Sequence, residues 1–384
     1  MDWSLTEEQE LLLETVRDVM KRGNYEEYFR ECDKNHQYPE RAAKDMLEAG
    51  FGTLGIPEEF GGTPCDTMTS ILVYEEVHAM GWPALTWVNQ ALAVHDMLQF
   101  GTKEQQEIVM KLALDGRKPF TLGFSEPQAG SDSSAITTSA TRRNGKIYIN
   151  GHKMFNTGGN VAPYMLCIAR DYENDNPYKD CSLYFIPMDK PGITVEPMEK
   201  IGLHMMATCE VYLEDVEIEE KDLCGIKGNG FAHLMLNYDV ERLFTCACNV
   251  GMARCAYNDA LRYTNQRQQF GKTIGSFQLI QEKITDMAIK IENMQNMVRH
   301  AAWKADNGKS ISIDAALAKR YTGKAAFEVI DEAMQIMGGI GYTESSRISR
   351  LWRDQRVYRI FAGTEEIMVH SAGRAIIKAD AKKM

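Results

Sequence analysis

Four segments of the chain gather residue types that can hold a cofactor. Ser125-Glu126-Pro127-Gln128-Ala129-Gly130-Ser131-Asp132 is rich in small and hydroxyl side chains. Such a stretch lets backbone N–H groups approach an anion or the polar edge of a ring, and it also builds an ordinary turn with hydroxyl caps. Phe155-Asn156-Thr157-Gly158-Gly159 sets an aromatic beside a hydroxyl and two glycines, which can flank a planar heterocycle or simply end a strand. Arg267-Gln268-Gln269-Phe270-Gly271, with Phe277-Gln278 shortly after, puts a guanidinium near a helix end, ahead of a glycine turn. That suits a pyrophosphate, although a solvated arginine near a helix C-terminus has the same pattern. Gln335-Ile336-Met337-Gly338-Gly339-Ile340-Gly341 is glycine-rich but follows a helical run rather than a strand, so the dinucleotide fingerprint does not apply.

An acidic residue completes the set. Glu241 lies in a helical stretch with Leu234, Tyr238, Phe244, Thr245 and Cys248 at three, four and seven residues from it. Its helix face is therefore mostly apolar, a carboxylate there is desolvated, and its proton affinity rises. The plain alternative is a half-exposed glutamate paired with a lysine or arginine. The eight histidines show no metal-ligand spacing, and His152 reads as structural.

The elements that must position these residues follow from periodicity. Thr6 and Gln9 have capping-box spacing ahead of Leu12, Val16, Val19 and Met20, so the chain opens on an amphipathic helix. Further amphipathic stretches cover roughly 38–50, 67–80 and 83–115, with Gly61-Gly62 and Pro64 between two of them. Nothing in this third looks chemical beyond forming a pocket wall. Near residue 118 the character changes. Asn144-Gly145 is a hairpin turn before the alternating Ile147-Tyr148-Ile149-Asn150, Leu183 to Ile186 is a short apolar run, and Val211, Leu213, Val216 and Ile218 are strand formers. From about 228 helical periods return near 230–266, 276–308, 312–337 and 364–380, broken at Asn307-Gly308 and Gly338-Gly339. We read an α+β chain: an N-terminal helical domain over 1–117, a middle β-domain over 118–227 and a C-terminal helical bundle over 228–384.

Composition limits the partners. A net charge of −11 disfavours nucleic acid or an anionic membrane, and no run nears the ~18 apolar residues that a span needs. None of the nine cysteines forms a C-x-x-C pair, and the opening Met1-Asp2-Trp3-Ser4 run has neither the basic nor the apolar region of a secretion signal. The expectation is a cytoplasmic protein with free core thiols, no membrane span and no metal site.

Taken together, the order and spacing of these four segments, the closing Ala362-Gly363-Thr364-Glu365-Glu366-Ile367 run and the α–β–α layout resemble the acyl-CoA dehydrogenase family along essentially the whole chain. The resemblance implies that family's fold, with a four-helix bundle at the C-terminus, and FAD as cofactor. It implies an acyl-CoA or enoyl-CoA substrate, an electron-transfer flavoprotein as redox partner, and a homotetramer. Residue by residue, it implies Phe124, Ser125 and Ser131 at the first signature, with Ser125 near the flavin and Ser131 towards CoA. Phe155 and Thr157 would flank the isoalloxazine. Arg267, Phe270, Gln278, Gln335, Gly338 and Gly339 would hold the pyrophosphate and adenine half, partly from a neighbouring subunit. Thr364 and Glu366 would complete the FAD contacts, although the family more often has glutamine where Glu366 stands.

The chain departs from the family pattern at Ala362, where most members carry the glutamate that removes the α-proton. Alanine cannot accept a proton. Branches of the isovaleryl-CoA dehydrogenase type place that base within a segment resembling Asp239-Val240-Glu241-Arg242, which makes Glu241 the expected catalytic acid–base group. Glu365 is the other candidate, better suited to capping the last helix. Tyr238, Asp239, Arg242, Ala362 and Gly363 would line the substrate side. Segments such as Tyr28-Phe29-Arg30-Glu31-Cys32-Asp33 and Arg347-Ile348-Ser349-Arg350-Leu351-Trp352-Arg353-Asp354 look most like the branch that reduces crotonobetainyl-CoA in carnitine metabolism.

Overall fold

A computed structural model of the chain describes residues 4–382, and only the backbone over 85–89; the first three residues of the acidic N-terminus lie outside the described residues. Thr6 caps helix α1 (Glu7–Gly23) through the capping box, its hydroxyl accepting from Gln9 N while the Gln9 side chain returns the bond. Helices α2 (Glu26–Lys34) and α3 (Glu40–Glu48) follow, and the Gly61-Gly62 loop leads into α4 (Thr67–Ala79). The stretch expected as one amphipathic run over 83–115 is two helices, α5 (Leu85–Phe100) and α6 (Lys103–Leu114). A second capping box causes the break: the Thr102 hydroxyl accepts from Gln105 N, which starts a new helix at Gly101-Thr102.

The middle of the chain forms strands β1 (Phe120–Gly123), β2 (Ser139–Arg143), β3 (Lys146–Thr157), β4 (Tyr164–Arg170), β5 (Cys181–Pro187), β6 (Ile193–Pro197), β7 (Thr208–Ile218) and β8 (Leu223–Cys224). They make one sheet in the order β6-β7-β3-β2-β4-β5-β8, with β1 parallel to β4 beside this path. Asn144 and Gly145 both take left-handed backbone, φ 52° and 75°, as the two-residue turn joining β2 to β3 demands. Val211, Leu213, Val216 and Ile218 are all buried on one side of the sheet. On its other side Phe120, Leu166, Leu183 and Phe185 pack with Val94 and Met97 of α5 and with Val109 and Met110 of α6.

Past the sheet the chain is helical, as its periods predict: α7 (Gly230–Gln266), a small hairpin of β9 (Gln268–Gln269) and β10 (Lys272–Thr273), α8 (Gln278–Asp306), α9 (Ser312–Met337), α10 (Arg347–Gln355) and α11 (Glu365–Ala381). The short α10 was not expected. The long α7 is the axis of the molecule. Its middle, from Leu243 to Ala256, is buried against α4, α8 and α9, whereas Phe231 and Leu234 near its start join the core beneath the sheet. Glu241 therefore stands at the seam between two cores.

Candidate active site

The first signature segment begins where β1 ends, and one buried ion pair fixes its shape. Glu126 accepts from Lys153 Nζ at 2.7 Å, with both side chains buried. Thr137 N, Thr138 N, the Thr137 hydroxyl and Gln128 Nε2 donate to the same carboxylate. Burial alone would raise the Glu126 pKa; the Lys153 ammonium and these donors outweigh it and hold it at about 2. Met154 N donates to Ser125 O at 2.8 Å, which fastens the Ser125 loop to β3. The pairing of β3 with β7 shifts register between Lys153 and Asn156. At that bulge Phe155 takes φ 60° and stands 60 % exposed. Thr157 follows it, its carbonyl accepting from the Thr121 hydroxyl.

Across the seam, α7 presents Tyr238, Asp239, Glu241 and Arg242. Leu234, Phe244, Thr245 and Cys248 around Glu241 are all buried, as its neighbours predict. Among the described residues the Glu241 carboxylate makes no hydrogen bond and no ion pair, so it is not the paired surface glutamate of the plain reading. It keeps some solvent contact by area while protein packs closely around it. Desolvation raises its pKa to about 7, against the lowering pull of Arg242 and Lys319. Arg242 is occupied: it donates to Asp239 Oδ1 at 3.0 Å and to Ala362 O at 3.4 Å, and lies 5.6 Å from the Tyr238 ring centroid. Tyr238 in turn meets Phe124 edge-to-face at 5.8 Å. This contact joins the first signature to α7.

Two groups at this seam were not expected. Lys319 of α9 is buried, donating to Tyr358 O at 2.7 Å and Gly363 O at 3.4 Å, and desolvation lowers its pKa to about 8. The signal was present: Ala315, Ala316, Thr322 and Gly323 occupy its three- and four-residue neighbours, a face small enough to bury a lysine stem. Asp96 of α5 is buried as well and feels the charge of Glu241. An acid set between Val94 and Met97 should have marked it. The N-terminal third is thus more than an apolar wall.

Ala362 (φ 54°) and Gly363 (φ 90°) are consecutive left-handed residues. They turn the chain so that their carbonyls face Arg242 and Lys319. The expected cap of α11 needs correcting. The Thr364 hydroxyl caps it, accepting from Ile367 N, whereas Glu365 is buried between Arg359, at 2.6 Å, and Arg320, at 3.1 Å.

The remaining expected cofactor residues lie elsewhere in the chain. Arg267 ends α7, exposed and unpaired among the described residues, and Phe270 at φ 52° is 92 % exposed on the β9–β10 turn. Gln278 starts α8; Gln335, Gly338 and Gly339 end α9 on the surface; Glu366 is exposed in the first turn of α11. A Cβ added at Gly130, Gly338 or Gly339 meets nothing within 4 Å, so the backbone is open to close approach at each. Ser131 beside Gly130 is exposed. Hydroxyls where β1 and β3 end and a projecting aromatic are group types that suit a flavin ring, and the exposed guanidinium and open glycines, elsewhere in the chain, are types that suit a pyrophosphate.

Comparison with known proteins agrees in all three parts of the chain. The family models for the acyl-CoA dehydrogenase N-terminal, middle and C-terminal domains match residues 6–117, 121–216 and 228–377. The chain belongs to the acyl-CoA dehydrogenase family. It is a flavoenzyme of the class that oxidises or reduces CH–CH bonds, with FAD as its cofactor. Probable acyl-CoA dehydrogenase YdiO of Escherichia coli K12 is 50 % identical over 379 residues, covering 98 % of this chain and 99 % of that one. Among solved structures, butyryl-CoA dehydrogenase from Megasphaera elsdenii is 31 % identical with a TM-score of 0.91, covering 98 % of this chain and all of that one. A chain from the structure of the electron transferring flavoprotein of Acidaminococcus fermentans is 32 % identical, also at TM-score 0.91, covering 98 % and 99 %. No helix among the described residues is long and apolar enough to cross a membrane, and no cluster of side chains among them could hold a metal ion.

Proposed function

We propose that this enzyme interconverts an acyl-CoA and its trans-2-enoyl-CoA with Glu241 as the acid–base group, and that its acyl group is that of crotonobetainyl-CoA and γ-butyrobetainyl-CoA. Glu241 carries the reading: an unpaired carboxyl with protein packed closely around it, its pKa raised to about 7, can accept or return a proton at neutral pH. FAD, when bound, supplies hydride exchange at the β-carbon. Glu241 removes the proton from the α-carbon in oxidation and delivers it there in reduction. Ser125 would lie near the flavin, Phe155 and Thr157 would flank its ring, Thr364 and Glu366 would complete the FAD contacts, and Ser131 would lie towards CoA. Ala362 cannot act as base, and Glu365 is committed to two arginines.

The betainyl substrate rests on the kinship segments, which fall on scaffold in α2 and α10, and on Tyr238, three residues before Glu241 on α7, with Phe124 edge-to-face against it, aromatic rings of the kind that suit a quaternary ammonium. The 50 % identity to a probable acyl-CoA dehydrogenase favours a second reading, oxidation of another short or branched acyl-CoA. A substrate panel separates them. Crotonobetainyl-CoA should be turned over at least about tenfold faster than crotonyl-CoA, the scale one substituent commands in a shaped pocket; equal or reversed rates would favour the second reading.

Electrons are exchanged with an electron-transfer flavoprotein in the cytoplasm, where eight buried free thiols stay reduced. The working form is a homotetramer. Arg267 is 26 residues from Glu241 along one helix, about 39 Å at the helical rise, farther than a single FAD extends from ring to pyrophosphate. Arg267, Phe270 and Gln278 therefore serve the flavin of a neighbouring copy, and Gln335, Gly338 and Gly339 join that half. Arg267→Ala should weaken FAD retention by roughly tenfold or more, as loss of a bidentate phosphate contact does. Flavin absorbance after gel filtration reads this directly, and full occupancy would remove the role.

A further inference from the structure

Asp96 is 8 % exposed on α5, which packs against α7. Its Oδ1 accepts from the Asn237 side chain. Asn237 stands one helical turn before Glu241, so the two share a face of α7 about 5–6 Å apart at Cβ. The second Asp96 oxygen has no hydrogen-bond partner among the described residues, and no lysine or arginine pairs with it. Glu241 and Tyr238 from α7, Cys224 from β8 and His95 on its own helix are the titratable groups around it. The charges of Arg242, the next residue on α7, and of Lys319 on α9 act on Glu241. The cations thus stand on the Glu241 side, and Asp96 has none.

We propose that Asp96 is a positioning residue for proton transfer: it forms with Glu241 a carboxyl pair that keeps one proton through the neutral range, Asp96 holding that proton while Glu241 exchanges its own with the substrate. The inference rests on Glu241 being the acid–base group. Two carboxyls in one dry seam cannot both ionise cheaply, and the one without a cation keeps its proton longer. Burial, followed by the charge of Glu241, raises the Asp96 pKa well above its ordinary value, whereas Arg242 and Lys319 restrain the rise at Glu241. The site then carries a single negative charge, and Asn237 stays bonded to Asp96, holding the face that presents Glu241.

Infrared spectra of the FAD-loaded enzyme at about pH 8.5, above the usual carboxylate range, test the pair. A protonated carboxyl C=O band should persist in the wild type and in Glu241→Gln, and vanish in Asp96→Asn. Its absence from the wild type, or its survival in Asp96→Asn, would overturn the proposal. Turnover provides a second measure. Asp96→Ala strips the acceptor from Asn237 and should lower kcat roughly tenfold with KM little changed, and Asp96→Asn, which restores an acceptor, should recover it to within about threefold. An Ala variant at full turnover also overturns the inference; should it fail to fold, the band in the other three proteins decides. Failure of the parent reading shows separately, as normal turnover in Glu241→Gln.

Discussion

Glu241→Gln should keep the fold and the flavin while losing about 10²- to 10⁴-fold in turnover, the usual scale for a positioned acid–base group. The amide matches the carboxyl in size, and neither Arg242 nor Lys319 depends on Glu241 for a hydrogen bond. What it removes is the exchangeable proton. The pH dependence follows from the raised value of about 7. Reduction needs the protonated form and declines as pH rises through about 7; oxidation needs the ionised form and declines as pH falls through it. One group thus gives two opposite limbs at one midpoint. Stability carries the same signature. The native state holds the Glu241 proton more tightly than the unfolded chain does, so stability falls as pH rises between the unfolded value near 4.5 and about 7. Above that window Glu241→Gln should be more stable than the wild type, by at most about 3 kcal/mol. Below it the two should match. Normal turnover in Glu241→Gln, with Glu365→Gln inactive, would transfer the role to Glu365.

The long helices α7, α8 and α9 were legible because each carries a helical period ended by a hairpin, an asparagine or a glycine, and α11 because its period follows the Thr364 cap. The Asn144-Gly145 turn was legible for a steric reason: few residue pairs accept two left-handed conformations in succession. The division at Thr102 was not read, because Val94 to Val109 stays apolar in period across it and only the Thr102–Gln105 pair marks the cap. At the site, the apolar neighbours of Glu241 announced its close-packed, poorly solvated surroundings, since residues three and four apart on a helix must be neighbours in space. Asp96 and Lys319, each more than 75 residues from Glu241 in sequence, reach the same seam, and no local pattern records that meeting. Phe155 projects because β3 bulges against β7, and its sequence shows only an aromatic near two glycines.

The buried pair Glu126–Lys153 carries the largest stability effect. Lys153 is 0 % exposed and its ammonium makes two bonds, to Glu126 and to Phe124 O at 3.4 Å. Glu126→Gln strands that cation and deprives Thr137 and Thr138 of their charged acceptor. Breaking a buried pair from one side costs about 3–5 kcal/mol, so denaturant unfolding should show a loss of that size, and Lys153→Met a similar one. The double variant Glu126→Leu, Lys153→Met should recover part of the loss, because neither charge is then left alone in the protein. Acid should mimic the single variant. With the folded Glu126 value held near 2, the contribution is complete above the unfolded value of about 4.5 and disappears as pH falls towards 2. Function should follow structure here. The pair anchors the turn from Ser125 to Thr138 against β3, so Glu126→Gln should release flavin faster even at temperatures where the fold survives. Single variants that lose less than about 1 kcal/mol would mean that water reaches Lys153, and the rigidity of the first signature would then need another source.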